Sequence, residues 1–256
     1  MKFHGLILDI NGTLVNNHQL LGGALKLFAF LKESKTPYVL LSNDSTMTPV
    51  EWENVFSDLG LYVASDNILT SSVITAEFFD KNISKDKRIY LIGGYALESA
   101  LTKKGYNITQ NENYDVVLMG SDKKIDYKKI SDGAIYINNG AKFFATNLDR
   151  IILSAGEVVP GNGALAKVLE TATSVKPINI GKPSKFALDF AISKLKIHAS
   201  EILILGDNPE TDIAGASASG IKSVLLRTGL SNYISATVKP DYIFNNLTEF
   251  IANIHK

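Results

Sequence analysis

The sequence predicts an α/β fold: a Rossmann-like core built on a parallel sheet, carrying a smaller inserted α/β cap. Three observations lead there. Short, uniformly apolar runs recur along the chain, each ending in a polar or glycine-rich turn. Stretches with apolar residues at helical spacing lie between them. The middle of the chain repeats this alternation on a smaller scale. The runs are too short for free-standing helices and too uniformly apolar for half-exposed strands, so they read as strands buried on both faces of a parallel sheet. Their alternation with helices implies right-handed βαβ units.

The elements follow in order. Phe3–Ile10 predicts the first strand, with Asp9 near its end. Leu20–Lys32 has helical spacing, and Pro37–Leu41 predicts a strand leading into Ser42-Asn43-Asp44. The insert then alternates strands at Arg88–Ile92, Tyr114–Met119 and Lys142–Ala145 with helices at Tyr95–Lys104 and Gly161–Thr173. The larger sheet resumes with a helix at Ser184–Leu195 and strands at Glu201–Leu205 and Lys222–Leu226. The expected division is a core of residues 1–75 plus 179–256 and a cap of residues 76–178.

Composition sets the outer bounds. The 256 residues are 45% apolar and 20% charged, ordinary for a soluble globular protein. There is no cysteine, which excludes disulfides, thiolate catalysis and cysteine zinc sites. Twenty-six basic residues balance 26 acidic ones without a long basic run, so a nucleic-acid partner is not expected. The apolar run near the start is too short for a signal sequence or a membrane span. A cytoplasmic protein without a membrane partner is the expectation.

Ligands in open α/β sheets sit beyond the carboxyl ends of the strands. The residues predicted there are Asp9, Asn11, Gly12 and Thr13, then Ser42 and Asn43, then Asp207, Asn208 and Asp212. Gly181-Lys182-Pro183, ahead of a helix, adds one cation. Oxygen donors of this kind suit Mg²⁺, and a lysine with nearby hydroxyls suits phosphate. Any one of these segments taken alone reads as a turn or a helix cap. The four in this order point to function.

Asp9–Leu14 (DINGTL), Ser42-Asn43, Gly181–Pro183 (GKP) and Gly206–Asp212 (GDNPETD) resemble the four motifs of the haloacid dehalogenase superfamily. The large insert resembles a C2-type cap. Met119–Asp122, Ile125–Tyr127, Phe144–Asp149 and Pro160–Gly163 resemble the NagD-like, or 4-nitrophenylphosphatase, branch. The resemblance implies a phosphatase acting on a small phosphorylated metabolite through an aspartyl phosphate. It implies Asp9 as nucleophile and metal ligand, with the Asn11 carbonyl and Asp207 completing a Mg²⁺ site and Asp212 in or near it. It further implies Ser42, Asn43 and Lys182 on the phosphoryl group, Asn147 and Asp149 facing the leaving group, and pairing of two copies as a homodimer.

Asn11 departs from the pattern. The family normally has Asp there, as general acid and base, and an amide cannot exchange protons usefully near neutral pH. Its carbonyl can still ligate metal. The substitution is compatible with a slow natural phosphatase, a phosphate-binding protein without turnover, or an engineered change. Deamidation at Asn11-Gly12 would restore Asp in part of a sample. A receiver-like module phosphorylated on Asp9 is a further alternative, weakened by the large insert. Gly93-Gly94 and Gly161–Gly163 read as turns before helices. Trp52 and the first helix's phenylalanines read as packing, and His4, His18, His198 and His255 have no metal-ligand spacing.

Overall fold

The computed structural model describes residues 2–17, 19–109 and 113–254, so His18 and His255 lie outside the described residues. Strand β1 (Gly5–Leu8) precedes a short hairpin of β2 (Val15–Asn16) and β3 (Gln19–Leu20), helix α1 (Ala24–Ser34) and β4 (Tyr38–Ser42). Helix α2 (Pro49–Asp58), β5 (Ile68–Thr70) and α3 (Ser71–Asn82) follow. Next come β6 (Ile89–Ile92), α4 (Tyr95–Lys103), β7 (Val116–Met119), α5 (Tyr127–Asn138) and β8 (Lys142–Ala145). An antiparallel hairpin of β9 (Ile151–Ser154) and β10 (Glu157–Pro160) leads to α6 (Asn162–Thr173) and β11 (Ile178–Asn179). The chain closes with α7 (Lys185–Leu195), β12 (Ile202–Gly206), α8 (Ala214–Ser219), β13 (Lys222–Leu226), β14 (Tyr242–Phe244) and α9 (Leu247–Ala252).

Two parallel sheets result. The larger has the order β14-β13-β12-β1-β4-β5, and the smaller, β11-β8-β7-β6, is inserted between β5 and β12. Strand β1 lies between β12 and β4, with Leu8 opposite both Leu205 and Leu40. From β1 the chain builds first to one side and later to the other, which makes this sheet's switch point and opens a crevice at its carboxyl edge.

Alternation along β1 divides the core. Leu6 and Leu8 pack in one cluster with Leu27, Phe28 and Leu31 of α1 and Phe250 of α9. Ile7 packs on the other face with Leu188 and Ala191 of α7. That second cluster continues into Ile89, Leu118 and Phe144 of the smaller sheet. Phe79 of α3 joins the two parts, with its ring centroid 5.4 Å from Phe144 and 5.8 Å from Tyr106.

The strand predictions locate the strands to within one or two residues at most ends. The helix expected over Leu20–Lys32 begins only at Ala24. Leu20 pairs in β3, and Gly23 takes a left-handed φ of 102° that stops the helix from extending backward. The expected domain limit at residue 76 falls inside α3, and the limit at 178/179 falls within β11. Gly94 and Gly161 are the residues immediately ahead of α4 and α6, as their reading as turns requires. His4 pairs with Glu201 at the surface, and His198 caps the turn that follows it. No described helix is long and apolar enough to cross a membrane.

Phe79 is fully buried at the junction of the two sheets. Phe79→Ala should cost about 3–5 kcal/mol, as expected for deleting a buried aromatic ring. Urea denaturation would measure it, and a loss under about 1 kcal/mol would show that the junction does not contribute as described.

Candidate active site

The crevice at the end of β1 collects side chains from distant parts of the chain. Asp9 follows β1, and its main-chain N–H donates to Leu205 O at 2.9 Å, which fixes the residue just past the strand against β12. Asp207 follows β12. Asp212 lies in the tight turn Pro209–Ile213 ahead of α8, where its Oδ2 accepts from the Asn208 N–H at 3.1 Å. Lys182 precedes Ser184, whose side chain caps α7. The Lys182 ammonium donates to Asp9 Oδ1 and to Asp212 Oδ1, each at 2.6 Å, and all three side chains are buried.

One ammonium faces three carboxylates. Asp9, Asp207 and Asp212 each offer an oxygen within 4.8 Å of the others. Burial, followed by the charge of Asp9, pushes Asp207 well above the ordinary carboxylate range despite the Leu230 N–H, which donates to its Oδ2 at 2.5 Å. Burial likewise raises Asp212 to about 7, against the pull of Lys182. Lys182 is held above its ordinary value; burial opposes this, but Asp212 and Asp9 outweigh it. The cluster thus has surplus negative charge in a place that solvates it poorly.

Two glycines leave room for it. Gly12 has φ 83°, and a Cβ there would collide with the Asp207 carboxylate. A Cβ at Gly229 would strike the same carboxylate. Asn11 is exposed beside Gly12 and bridges to Val15 through its backbone.

Asn43, at the end of β4, links the two sheets. Its Oδ1 accepts from the Lys182 main-chain N–H at 2.9 Å, and its Nδ2 donates to Lys182 O at 3.1 Å and to Asp149 Oδ2 at 3.0 Å. Its carbonyl accepts from Asn147 Nδ2 at 2.8 Å and from Ser71 Oγ at 2.8 Å. Ser42 is buried beside it, and its Oγ accepts from the Asp44 N–H at 3.1 Å. Asn147 and Asp149 stand on the loop after β8. Arg150, next along, pairs with Glu210 at 3.2 Å. The residues given roles from the sequence therefore lie on the strand ends and loops around this crevice.

Sequence reasoning missed several supports. Asn162 holds the β8 loop by donating to Asn147 O at 2.9 Å. Ser45 Oγ accepts from the Ser121 N–H at 2.9 Å and ties the smaller sheet to the larger. Thr228 Oγ1 donates to Gly12 O, and the Leu230 N–H meets Asp207. These are backbone-mediated pairings across long separations, for which no local pattern exists. Trp52, read as packing alone, also donates its indole N–H to Asp44 Oδ2 at 3.2 Å.

A parallel sheet with carboxylates, a buried lysine and an asparagine gathered at its switch point defines an α/β ligand site built on charged groups. Residues 6–107 match the haloacid dehalogenase-like hydrolase family, residues 179–250 match a second HAD hydrolase-like family, and the chain belongs to the haloacid dehalogenase-like hydrolases. Within that family it falls in the NagD-like branch. It is 31% identical to an acid sugar phosphatase of Staphylococcus epidermidis over 99% of each chain, and 32% identical to the 5′-nucleotidase YutF of Bacillus subtilis over 98% of this chain and 99% of that one. Among solved structures it superposes on NagD of E. coli K-12 with TM-score 0.86 and 30% identity, covering 97% of this chain and 98% of that one. It superposes on a 4-nitrophenylphosphatase of Thermotoga maritima with TM-score 0.90 and 29% identity, covering 99% and 98%. The smaller sheet and its helices thus correspond to the cap of this fold.

The raised carboxyls fix the sign of a pH effect. Asp212 carries its proton up to about pH 7 when folded, against an ordinary value of 3.8. Its contribution to stability is therefore fully present below about pH 4 and is lost as pH rises through about 7. With a chelator present, the urea midpoint should fall between pH 5 and pH 7.5. A rising midpoint would contradict the raised carboxyls.

Proposed function

We propose that the chain is a phosphatase that hydrolyses small phosphate monoesters in the cytoplasm through an aspartyl phosphate on Asp9. The single observation that carries the mechanism is the buried Lys182 bonded at once to Asp9 and Asp212 beneath an open strand edge. Asp9 is the one member of the carboxylate triad placed at the switch-point strand itself. Its carboxylate attacks phosphorus, the new O–P bond replaces the ester P–O bond, and water then cleaves the aspartyl phosphate.

Lys182 orients Asp9 and offers its remaining hydrogen to a phosphoryl oxygen. Ser42 and the main-chain donors around Asn43 receive the other oxygens. The division into a core of residues 1–75 plus 179–256 and a cap of residues 76–178 is part of this reading. It sets Asn147 and Asp149 of the cap over the phosphoryl site, against the leaving group.

The donor set fits Mg²⁺. Three carboxylates against one ammonium leave uncompensated negative charge, and all three donors are hard oxygens. Asp9, Asp207 and the Asn11 carbonyl would hold the ion, with Asp212 in or near its shell. Bound there, Mg²⁺ would neutralise charge on the transferring phosphoryl group.

The exposed Asn11 amide favours a second reading, a phosphate-binding protein that keeps the site without turnover. Phosphate release separates the two. Wild-type protein with Mg²⁺ should release phosphate from 4-nitrophenyl phosphate, and Asp9→Asn should lower the rate by about 10⁴-fold or more, as removal of a covalent nucleophile does. Retained turnover in Asp9→Asn would sink the aspartyl-phosphate mechanism, and absence of release by the wild type would favour the binding reading. Mg²⁺ at about 100 times its Kd should stabilise the fold by about 2.7 kcal/mol in thermal unfolding, and an unchanged Tm would argue against the metal site.

A further inference from the structure

An alkoxide leaving group must receive a proton as the ester bond breaks, and Asn11 cannot give one. The other carboxyls around the crevice are engaged. Asp9 and Asp212 share the Lys182 ammonium, and Asp207 accepts from the Leu230 N–H. Glu210 is paired with Arg150, and Asp44 accepts from Thr46 and from the Trp52 indole. Asp149 differs from all of them. Its Oδ2 accepts from Asn43 Nδ2, and its Oδ1 is enclosed without a hydrogen-bond partner among the described residues.

We propose that Asp149, reaching over the site from the cap, is the general acid that supplies the proton Asn11 cannot. The inference rests on the phosphatase reading above. It follows from position first. Asp149 is bonded to Asn43, Asn43 to the Lys182 backbone, and the Lys182 ammonium to Asp9, so the donor and the nucleophile are both tied to Lys182, one through its main chain and the other through its side chain. The loop is fixed as well. The Asp149 N–H donates to Asn147 Oδ1 at 3.2 Å, and Asp149 O accepts from the Gly163 N–H at 2.8 Å.

An enclosed carboxylate oxygen with no donor is costly, whereas a protonated Oδ1 has a hydrogen to give and lacks only an acceptor. The leaving-group oxygen is that acceptor. The charged groups that face Asp149 are Lys182 ahead of α7, Asp9 after β1 and Glu210 in the turn ahead of α8. Burial raises its carboxyl to about 6, Asn43 and Lys182 oppose this, and Asp9 and Glu210 add to it. Such a group is protonated often enough near neutral pH to act as an acid.

The step balances. The Asp9 oxygen–phosphorus bond forms, the ester P–O bond breaks, and the Asp149 proton passes to the departing oxygen, releasing an alcohol. The Asp149 carboxylate then takes a proton from the water that attacks the aspartyl phosphate. Inorganic phosphate leaves, Asp9 is regenerated and Asp149 is protonated again.

The test compares two esters in the Mg²⁺-loaded protein, a sugar phosphate with an alkoxide leaving group and 4-nitrophenyl phosphate, whose phenolate leaves without a proton. Asp149→Asn keeps the acceptor for Asn43 and removes the acid. It should lower kcat on the sugar phosphate by about 10²- to 10⁴-fold, and on the aryl ester by under about tenfold. The decline of sugar-phosphate turnover above about pH 6 should vanish with it. Asn11→Asp added to Asp149→Asn should restore sugar-phosphate turnover, which a misfolded variant could not do. Equal losses on the two esters would assign Asp149 to positioning Asn43 and overturn the proposal. So would a wild type that turns over the aryl ester and no sugar phosphate. Failure of both esters in the wild type would instead sink the phosphatase reading itself.

Discussion

The buried ammonium of Lys182 is the constraint on which the site depends. A lysine without solvent survives only against carboxylates, and carboxylates packed together survive only against a cation. Lys182, Asp9 and Asp212 come from three separate segments, and each makes burial of the others tolerable. The geometry at the end of β1 is therefore a mutual condition rather than a sum of local preferences. The parallel sheet provides the rigid edge, and the apolar strands beneath it exclude the water that would otherwise loosen the cluster.

Asn43 extends this arrangement from one sheet to the other. A single side-chain amide both accepts from the Lys182 backbone and donates to Asp149, while its carbonyl receives Asn147. The cap loop is thereby registered against the same lysine that orients Asp9. Chemistry divided between two sheets needs such a link, because positioning within fractions of an ångström governs how well reacting groups meet.

Much of this was legible in the chain before folding. Strands buried on both faces are continuous apolar runs, so β1, β12 and β13 stand out, and the polar residues after them mark the crevice. Lys182 and Asp212 are visible through their motifs. Less was legible where structure depends on distant partners. Helix α2 is an exception, since Thr48 and Glu51, bonded reciprocally at its start, are a local signal the sequence carries. Helix α3 has weak amphipathicity, because it is buried on more than one side by both sheets. Asn162 looks like a turn residue in sequence, and its role in holding Asn147 exists only once α6 is placed under the loop. The enclosed Oδ1 of Asp149 likewise has no sequence signature.

The aromatic seam between the sheets has a consequence for how such molecules diversify. Phe78 and Phe79 of α3 touch Phe186 of α7 on one side and Phe144 of β8 on the other, with ring centroids 5.0 Å apart for Phe78–Phe186 and 5.4 Å apart for Phe79–Phe144. Because α3 is the near wall for both parts, a chimera that exchanges the insert alone sets a foreign surface against rings shaped for Phe144. Exchange of the insert together with α3, keeping Ser71 and Ser72 for their bonds to Asn43 O and Ser45 O, moves the aromatic mismatch to the α3–α7 contact, where Phe186 is partly exposed and has room to adjust. The helix, rather than the sheet it precedes, is the natural graft point.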